Sequence, residues 1–438
     1  MEDLFVGNHL KIVVAGTGYV GLVTAVCMAE VGHHVVCVDK IQTKVDLLKS
    51  NKSPIYEPDL EDLMVKNQAR LSYTIDHVSA YKDANVIFIA VGTPEQEDGS
   101  ADLTFVHAVS KEIAETVEKD CVVVVKSTVP IGTNDEVEKF LNQNLKNNVR
   151  ITVASNPEFL SQGSAVKDTL GAKRIVIGTE DKTTEAKLVE VYTPFNQPFV
   201  LTNRRSAEMI KYAANDFLAL KISYINEIAN FCELIGANIE DVTYGMSFDP
   251  RIGDKFLNPG IGFGGSCFPK DTKALYALAS KEYGYELQTV KATIDVNTKQ
   301  KTKLFFEAKK RFDSFNGLQV AILGLTFKPK TDDIRESAAI ENVKMLLKNG
   351  AQVTVYDPVG AANFKRLFPT EVIYASSIDE AILNKDCTFI ITEWDEIKKY
   401  DLNQYKALMK KPVVYDGRNC YTLDNVKKAG IEYTSIGR

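Results

Sequence analysis

The sequence predicts an α/β protein: two doubly wound, parallel-sheet units on either side of a helical segment. Three observations carry this. Short apolar runs of strand length, each closed by a small or polar turn, recur over residues 10–178 and again over 318–415. Between them, over residues 206 to about 236, apolar side chains recur at spacings of three and four, and no proline or glycine interrupts the run before Gly236. Residues 256–271 then break the helical pattern with a glycine-rich stretch, Phe-Leu-Asn-Pro-Gly-Ile-Gly-Phe-Gly-Gly-Ser-Cys-Phe-Pro-Lys-Asp.

In the first unit, Leu-Lys-Ile-Val-Val-Ala at 10–15 reads as a buried strand. Gly16-Thr17-Gly18-Tyr19-Val20-Gly21 follows, then helical spacing over 22–31, then a strand at 35–38 that ends in Asp39. This is Gly-x-Gly-x-x-Gly between strand and helix with an acid about 20 residues on, the Rossmann dinucleotide pattern. Gly16 permits the tight turn, Gly18 admits a pyrophosphate to the backbone, and Gly21 lets helix and strand pack closely. The helix N-terminus then faces the phosphates. Asp39 suits a ribose hydroxyl and repels a 2′-phosphate, which predicts NAD rather than NADP. Lys44 suits either the adenosine ribose or a solvated helix face.

Further strands extend this sheet. Residues 86–91 end in Gly92-Thr93-Pro94, and 122–125 end in Lys126-Ser127-Thr128-Val129-Pro130. Thr93 and Thr128 stand just past carboxyl ends of strands, where ligands bind in open α/β sheets, or where helices are capped. The strand at 151–155 runs into Asn156-Pro157-Glu158-Phe159-Leu160, so Glu158 is a candidate base or an acid at a helix start. One more strand at 174–178 completes a first domain expected over residues 1–203.

The middle segment, expected over 204–314, opens with a helix of about 30 residues, long enough to span two lobes or to pack on a partner chain. Lys211 and Asn215 stand four apart and share a face, as a polar pair or as solvated surface. Cys267 closes the glycine-rich stretch and is followed at once by Lys270 and Asp271. A helix starting near Asp271 and a nearby cation would both favour its thiolate; the alternative is a buried cysteine behind a glycine turn. Helical spacing resumes over 272–283 and about 288–312. The last domain, over 315–438, repeats the first without its glycine pattern: a strand at 318–323 meets Gly-Leu-Thr-Phe-Lys-Pro, and the strand at 352–356 ends in Asp357. It is expected to bind a nucleotide differently. Strands at 388–392 and 412–415 follow. Lys328, Arg335 and Arg418 lie at or beyond strand ends and suit either a phosphate or ordinary surface.

The bulk numbers bound the rest. A chain of 438 residues suits two or three domains. A net charge of -6 argues against nucleic acid and anionic membranes as partners. The seven cysteines form no Cys-x-x-Cys pair, so no metal site and no disulfide framework are expected, and scattered thiols suit the cytoplasm. The first ten residues hold acids and no long apolar core, so no signal peptide is expected, and no apolar run reaches the roughly 18 residues of a membrane span.

Taken together, Gly-Thr-Gly-Tyr-Val-Gly, Val-Gly-Thr-Pro, Lys-Ser-Thr-Val-Pro, Asn-Pro-Glu-Phe-Leu, the whole 256–271 stretch and Arg-Glu-Ser at 335–337 occur in one order. In this the chain resembles the UDP-glucose/GDP-mannose dehydrogenase family, and within it the UDP-glucose 6-dehydrogenases, over about residues 10–430. The resemblance implies two Rossmann-like domains joined by a long central helix and a small helical dimerisation domain, and hence a homodimer at least. It implies NAD-dependent, four-electron oxidation of UDP-glucose to UDP-glucuronate through thiohemiacetal and thioester intermediates. Cys267 matches the nucleophile, Lys211, Asn215 and Asp271 its polar companions, and Glu158 the base for hydrolysis. Thr128 matches a residue that helps to hold water and nicotinamide. Gly16 to Gly21, Asp39, Lys44, Thr93 and Arg335 match cofactor contacts.

For the UDP-sugar, the resemblance implies Glu158, Phe159, Leu160, Lys211 and Asn215, with Phe256, Leu257, Asn258, Gly260, Ile261, Gly262, Phe263 and Gly264 of the loop, and Lys328 and Arg418. Arg251 matches a residue inserted from the neighbouring subunit. One departure stands out: many members carry glutamate where this chain has Gln162, which keeps hydrogen bonding, loses the charge and is left outside the catalytic set. Two alternatives stay open: a dehydrogenase for GDP-mannose or a UDP-N-acetylhexosamine, and a non-catalytic protein that binds a nucleotide sugar or NAD.

Overall fold

The structure, a computed structural model, describes residues 10–438. It forms two compact units, one ending at Ala214 and one running Asn215–Arg438, and each contains an open sheet. The first sheet holds β1 (Ile12–Ala15), β2 (Val35–Val38), β3 (Leu71–Thr74), β4 (Val86–Ile89), β5 (Cys121–Val125), β6 (Ile151–Ser155), β7 (Ile175–Gly178) and β8 (Phe199–Thr202). Their order is β3-β2-β1-β4-β5-β6-β7-β8. The first six are parallel in the doubly wound order. β7 meets β6 antiparallel through one pair, Ser155 opposite Gly178, and β8 extends β7 in parallel.

Strands β1, β4 and β5 are buried along their whole length, which is why they read as unbroken Val/Ile runs. One face packs Val14, Phe88 and Val124 against Leu22 and Met28; the other packs Val13, Ile87 and Val123 against Val109 and Ile113. Two strands of this sheet are not legible in the sequence. β3 alternates buried and exposed residues, and β8 is largely exposed. Both are sheet edges, so neither carries a long apolar run.

The second sheet holds β9 (Gln319–Leu323), β10 (Gln352–Tyr356), β11 (Ile373–Tyr374), β12 (Cys387–Ile390), β13 (Val413–Asp416) and β14 (Glu432–Thr434), all parallel, in the order β11-β10-β9-β12-β13-β14. This is the same winding as the first six strands of the other sheet. The parallel reaches the first turn. In the first unit the Thr17 amide donates to the Asp39 carboxylate at 3.1 Å; in the second the Leu325 amide donates to Asp357 at 2.7 Å. Asp357, however, also accepts from the Val359 and Gly360 amides and from the Trp394 indole at 3.0 Å. It is spent on its own fold.

The middle of the chain is helical. Helix Arg204–Ile235 has 32 residues, and the boundary between the units falls inside it. Ile239–Ser247 follows, then an irregular stretch, then helix Phe268–Glu282. The helical pattern over 288–312 is two helices, Gln288–Gln300 and Lys303–Arg311. The break has a local cause: the Asn342 side chain donates to the Lys301 carbonyl at 2.8 Å, and the Thr302 amide turns to Lys299 at 3.3 Å. Apolar spacing does not register a competing side chain from elsewhere in the chain. Among the described residues no helix is long and apolar enough to cross a membrane.

Candidate active site

In the first unit, the turn after β1 is built for a close approach. Gly16 has φ +100°, and a Cβ on it would meet the Ala90 carbonyl at 2.7 Å; one on Gly21 would meet Gly16 O at 2.0 Å. Gly18 has nothing within 4 Å, so the backbone between these packed glycines is open to a ligand. It is also the N-cap of the helix Tyr19–Glu30 and offers no side chain to cap that helix's first amides. Asp39 accepts from the Thr17 hydroxyl at 2.5 Å and the Ile41 amide at 3.0 Å, with Lys44 Nζ 3.9 Å away. Burial pushes the Asp39 carboxyl up, but the Thr17 and Ile41 bonds and the Lys44 charge outweigh it and hold it below the usual range. An ionised acid beside an open glycine turn fits NAD. Thr93 caps no helix; its hydroxyl donates to the Thr128 carbonyl at 2.8 Å and ties the two loops past β4 and β5 together.

Glu158 and Lys211, far apart in sequence, meet in this unit. Lys211 Nζ stands 3.0 Å from Glu158 Oε1, and the side chains are only 4% and 7% exposed. Glu158 Oε2 accepts from the Leu160 amide at 2.7 Å, a bond that bends the chain just after β6. The Phe159 ring carries Arg174 on it at 3.8 Å and Lys211 at 5.5 Å. Glu208, one turn before Lys211, accepts from the Gly132 amide at 2.6 Å and from Asn134 at 2.9 Å (backbone) and 2.6 Å (side chain). It therefore anchors the loop that carries Thr128 to the helix that carries Lys211. Nearby Lys126 is buried and bonded to Asn156 Oδ1 at 3.0 Å; burial lowers its pKa to about 8, with Glu158 pulling it up and Lys211 pushing it down.

In the second unit, Cys267 is half-buried and is the N-cap of helix Phe268–Glu282. Its thiol lies 3.7 Å from the Ser266 hydroxyl. The helix dipole favours an anion at this place. Asp271, in the first turn, accepts from Asn215 Nδ2 at 2.7 Å and from Lys270 Nζ at 2.6 Å. Arg335, held by Asp333 at 2.6 Å, keeps its proton more firmly through that bond and lies within electrostatic reach of Cys267. Burial meanwhile pushes the thiols of Cys27, Cys37 and Cys121 up to about 12, and those of Cys387 and Cys420 further, away from thiolate chemistry.

The loop before Cys267 is fixed by groups that the sequence did not single out. Asn226 accepts from the Gly260 amide at 2.8 Å, Gln300 donates to the Gly260 carbonyl at 2.6 Å, and Asn297 bonds both amide and carbonyl of Phe263 at 2.8 and 3.0 Å. Their only signal in the sequence is an amide on an otherwise core-facing helix stripe. The glycines serve packing within the protein: a Cβ on Gly262, at φ +83°, would meet Asn297 Oδ1 at 2.6 Å, and one on Gly264 would meet Glu336 O at 2.4 Å. Leu257, Ile261 and Phe263 are buried; Phe256 holds the left-handed region at φ +63° without being glycine. Asn258 is exposed and Gly260 buried.

Arg418 donates to the carbonyls of Ile391 at 2.8 Å and of Gly262 and Phe327 at 3.3 Å, so it pins the loop to the end of the second sheet. Lys328 lies over the Phe327 ring at 5.5 Å. Arg251 is exposed and clamped on its own Asp249. Gln162 is buried. Among the described residues no His, Cys, Asp and Glu cluster suits a metal.

This geometry has counterparts. The UDP-glucose/GDP-mannose dehydrogenase family matches in three parts: its NAD binding domain over residues 10–196, its central domain over 205–299 and its UDP binding domain over 321–423. UDP-glucose 6-dehydrogenase YwqF of Bacillus subtilis is 49% identical over 432 residues, 98% of either chain. A UDP-glucose 6-dehydrogenase of Rhizobium meliloti is 46% identical over 98% of this chain and 100% of its own. Among solved structures, a UDP-glucose dehydrogenase from Pyrobaculum islandicum superposes with a TM-score of 0.92 at 35% identity, covering 99% of this chain and 98% of its own. A dehydrogenase from Pyrococcus horikoshii described as acting on UDP-D-ManNAc gives 0.86 at 27% identity, over 98% and 99% of the two chains. With the three domains of that family matched in order and relatives 49% and 46% identical over 98% of its length, the chain belongs to the UDP-glucose/GDP-mannose dehydrogenase family.

Proposed function

We propose that this protein oxidises UDP-glucose to UDP-glucuronate, taking up water, consuming two NAD and releasing two NADH and three protons. The observation that carries this reading is Cys267: half-buried, at a helix N-terminus, with Asp271 held in the first turn by Asn215. An alcohol becomes a carboxylate by loss of two hydrides, and the aldehyde between them must be held. A thiolate does this by adding to the aldehyde carbon as a thiohemiacetal; loss of the second hydride leaves a thioester, which water hydrolyses. NAD supplies the hydride acceptor for each oxidation.

The residues take these parts. Gly16, Thr17, Gly18, Tyr19, Val20 and Gly21, with Asp39, Lys44, Thr93 and Arg335, hold the dinucleotide. Lys211 and Asn215 stabilise the alkoxide and the later oxyanion. Glu158 and Asp271 move protons and orient water, aided by Thr128. Phe159 and Leu160, the loop over 256–264, Lys328 and Arg418 hold the UDP-sugar. These roles divide among three segments, 1–203 for NAD, 204–314 for the cysteine and dimer contacts, and 315–438 for UDP. The cytoplasm, with its reduced thiols and its nucleotide sugars, is the fitting compartment.

The same reading makes the protein a homodimer, with Arg251 offered to the neighbouring subunit. Phe217, Tyr224 and Phe231 stand seven apart along the long helix and are 62%, 48% and 56% exposed, a stripe suited to a second copy. Sedimentation should give twice the chain mass at micromolar concentration, and Phe231→Glu should shift it toward one chain; a monomeric wild type contradicts the assembly.

One substrate panel tests the activity. NADH should form from UDP-glucose and NAD at least about 100-fold faster, in kcat/KM, than from GDP-mannose, UDP-N-acetylhexosamines or with NADP. Faster turnover of another sugar nucleotide would reassign the substrate, and none with any would favour a binding protein.

A further inference from the structure

Asp216 follows Asn215 on the long helix, is 8% exposed, and has no hydrogen bond to either carboxylate oxygen. An ionised carboxylate in that condition is costly, because nothing replaces the water it has lost. The charge that acts on it from the helix across is Asp271. That acid is differently placed: Asn215 donates to its Oδ2 and Lys270 to its Oδ1. Of two neighbouring buried carboxyls, one has two donors and the other none. Where two such groups compete for one proton, it goes to the group whose charge is least supported. Burial first, and then the charge of Asp271, push Asp216 up to about 7.

We propose that Asp216 is a positioning residue of the cysteine site: it stays protonated during turnover, and so leaves Asn215 and Lys270 bonded to Asp271 with no competing charge beside them. This rests on the role proposed for Asp271 and adds a residue that the dehydrogenase reading does not use. Loss of the proton would set a second negative charge beside Asp271 and oppose the anionic sulfur and oxygens formed at Cys267.

Two measurements on the full-length enzyme decide it. Infrared spectra of the ligand-free protein at about pH 6 should contain a buried carboxylic-acid band that fades by about pH 9 and is missing from Asp216→Asn at both. Wild-type kcat should fall about tenfold per unit once pH exceeds the Asp216 value, and Asp216→Asn should flatten that fall by at least about fivefold. Asp216→Ser serves the same comparison if the asparagine variant does not fold. A wild type without the band, a band that survives in the variant, or an equal alkaline fall in both proteins overturns the proposal. The infrared result stands whether or not UDP-glucose is the substrate, so failure of the functional reading is seen separately, in the substrate panel.

Discussion

Cys267→Ala is expected to abolish UDP-glucuronate formation, lowering kcat by more than about 1,000-fold, while NAD and UDP-glucose still bind. The reason is stoichiometric as well as chemical. Without a thiol to hold the aldehyde, the second hydride has no tethered donor and no thioester exists for water to open. The change is structurally mild, because the Cys267 side chain makes no capping bond to its helix and is only half-buried. The other cysteines cannot replace it: Cys27, Cys37, Cys121, Cys232 and Cys387 are buried, and burial holds Cys420 in its thiol form. Product chromatography alongside binding calorimetry checks this. Wild-type turnover to the acid in the variant would remove the cysteine from the chemistry.

Lys211→Met is expected to be the second most damaging change, in activity and in stability together. The Lys211–Glu158 pair is almost entirely out of solvent. Removing one partner strands a charge, at about 3–5 kcal/mol. Urea melts at neutral pH should show that deficit. Adding Glu158→Gln to Lys211→Met should recover most of the stability and none of the activity, with kcat still down about 100-fold or more. No recovery in the double variant would show that the two groups do not act as a charged pair.

Much of this architecture was legible because its signals are local. The turn from Gly16 to Gly21, the acid at Asp39 and the buried runs of β4 and β5 each follow from a few adjacent residues. The long helix was legible from its uninterrupted spacing. Edge strands β3, β8, β11 and β14 were not, since an edge needs no continuous apolar run. Nor was the break at Lys301, which an asparagine 41 residues further on enforces.

The site divides in the same way. Cys267 stood out by its glycines and by the helix that follows it. Residues that act through partners distant in sequence did not stand out: Glu208 under the Thr128 loop, Asn226, Asn297 and Gln300 around the cysteine loop, and Asp216 beside Asn215. Each looks like an ordinary polar residue until the fold shows that it is buried and what it faces. The loop glycines also changed meaning. Gly262 and Gly264 leave room for Asn297 and Glu336, so part of what reads as a ligand cradle is the packing of the loop on its own support.

The central claim is that one site carries UDP-glucose through both oxidations while Cys267 holds the intermediate. Counting NADH against limiting UDP-glucose, with a carbonyl-trapping amine present, tests it most directly. The account predicts two NADH for each UDP-glucose consumed, with UDP-glucuronate as the product and no trapped aldehyde. One NADH for each UDP-glucose, with the aldehyde recovered on the amine, would contradict it.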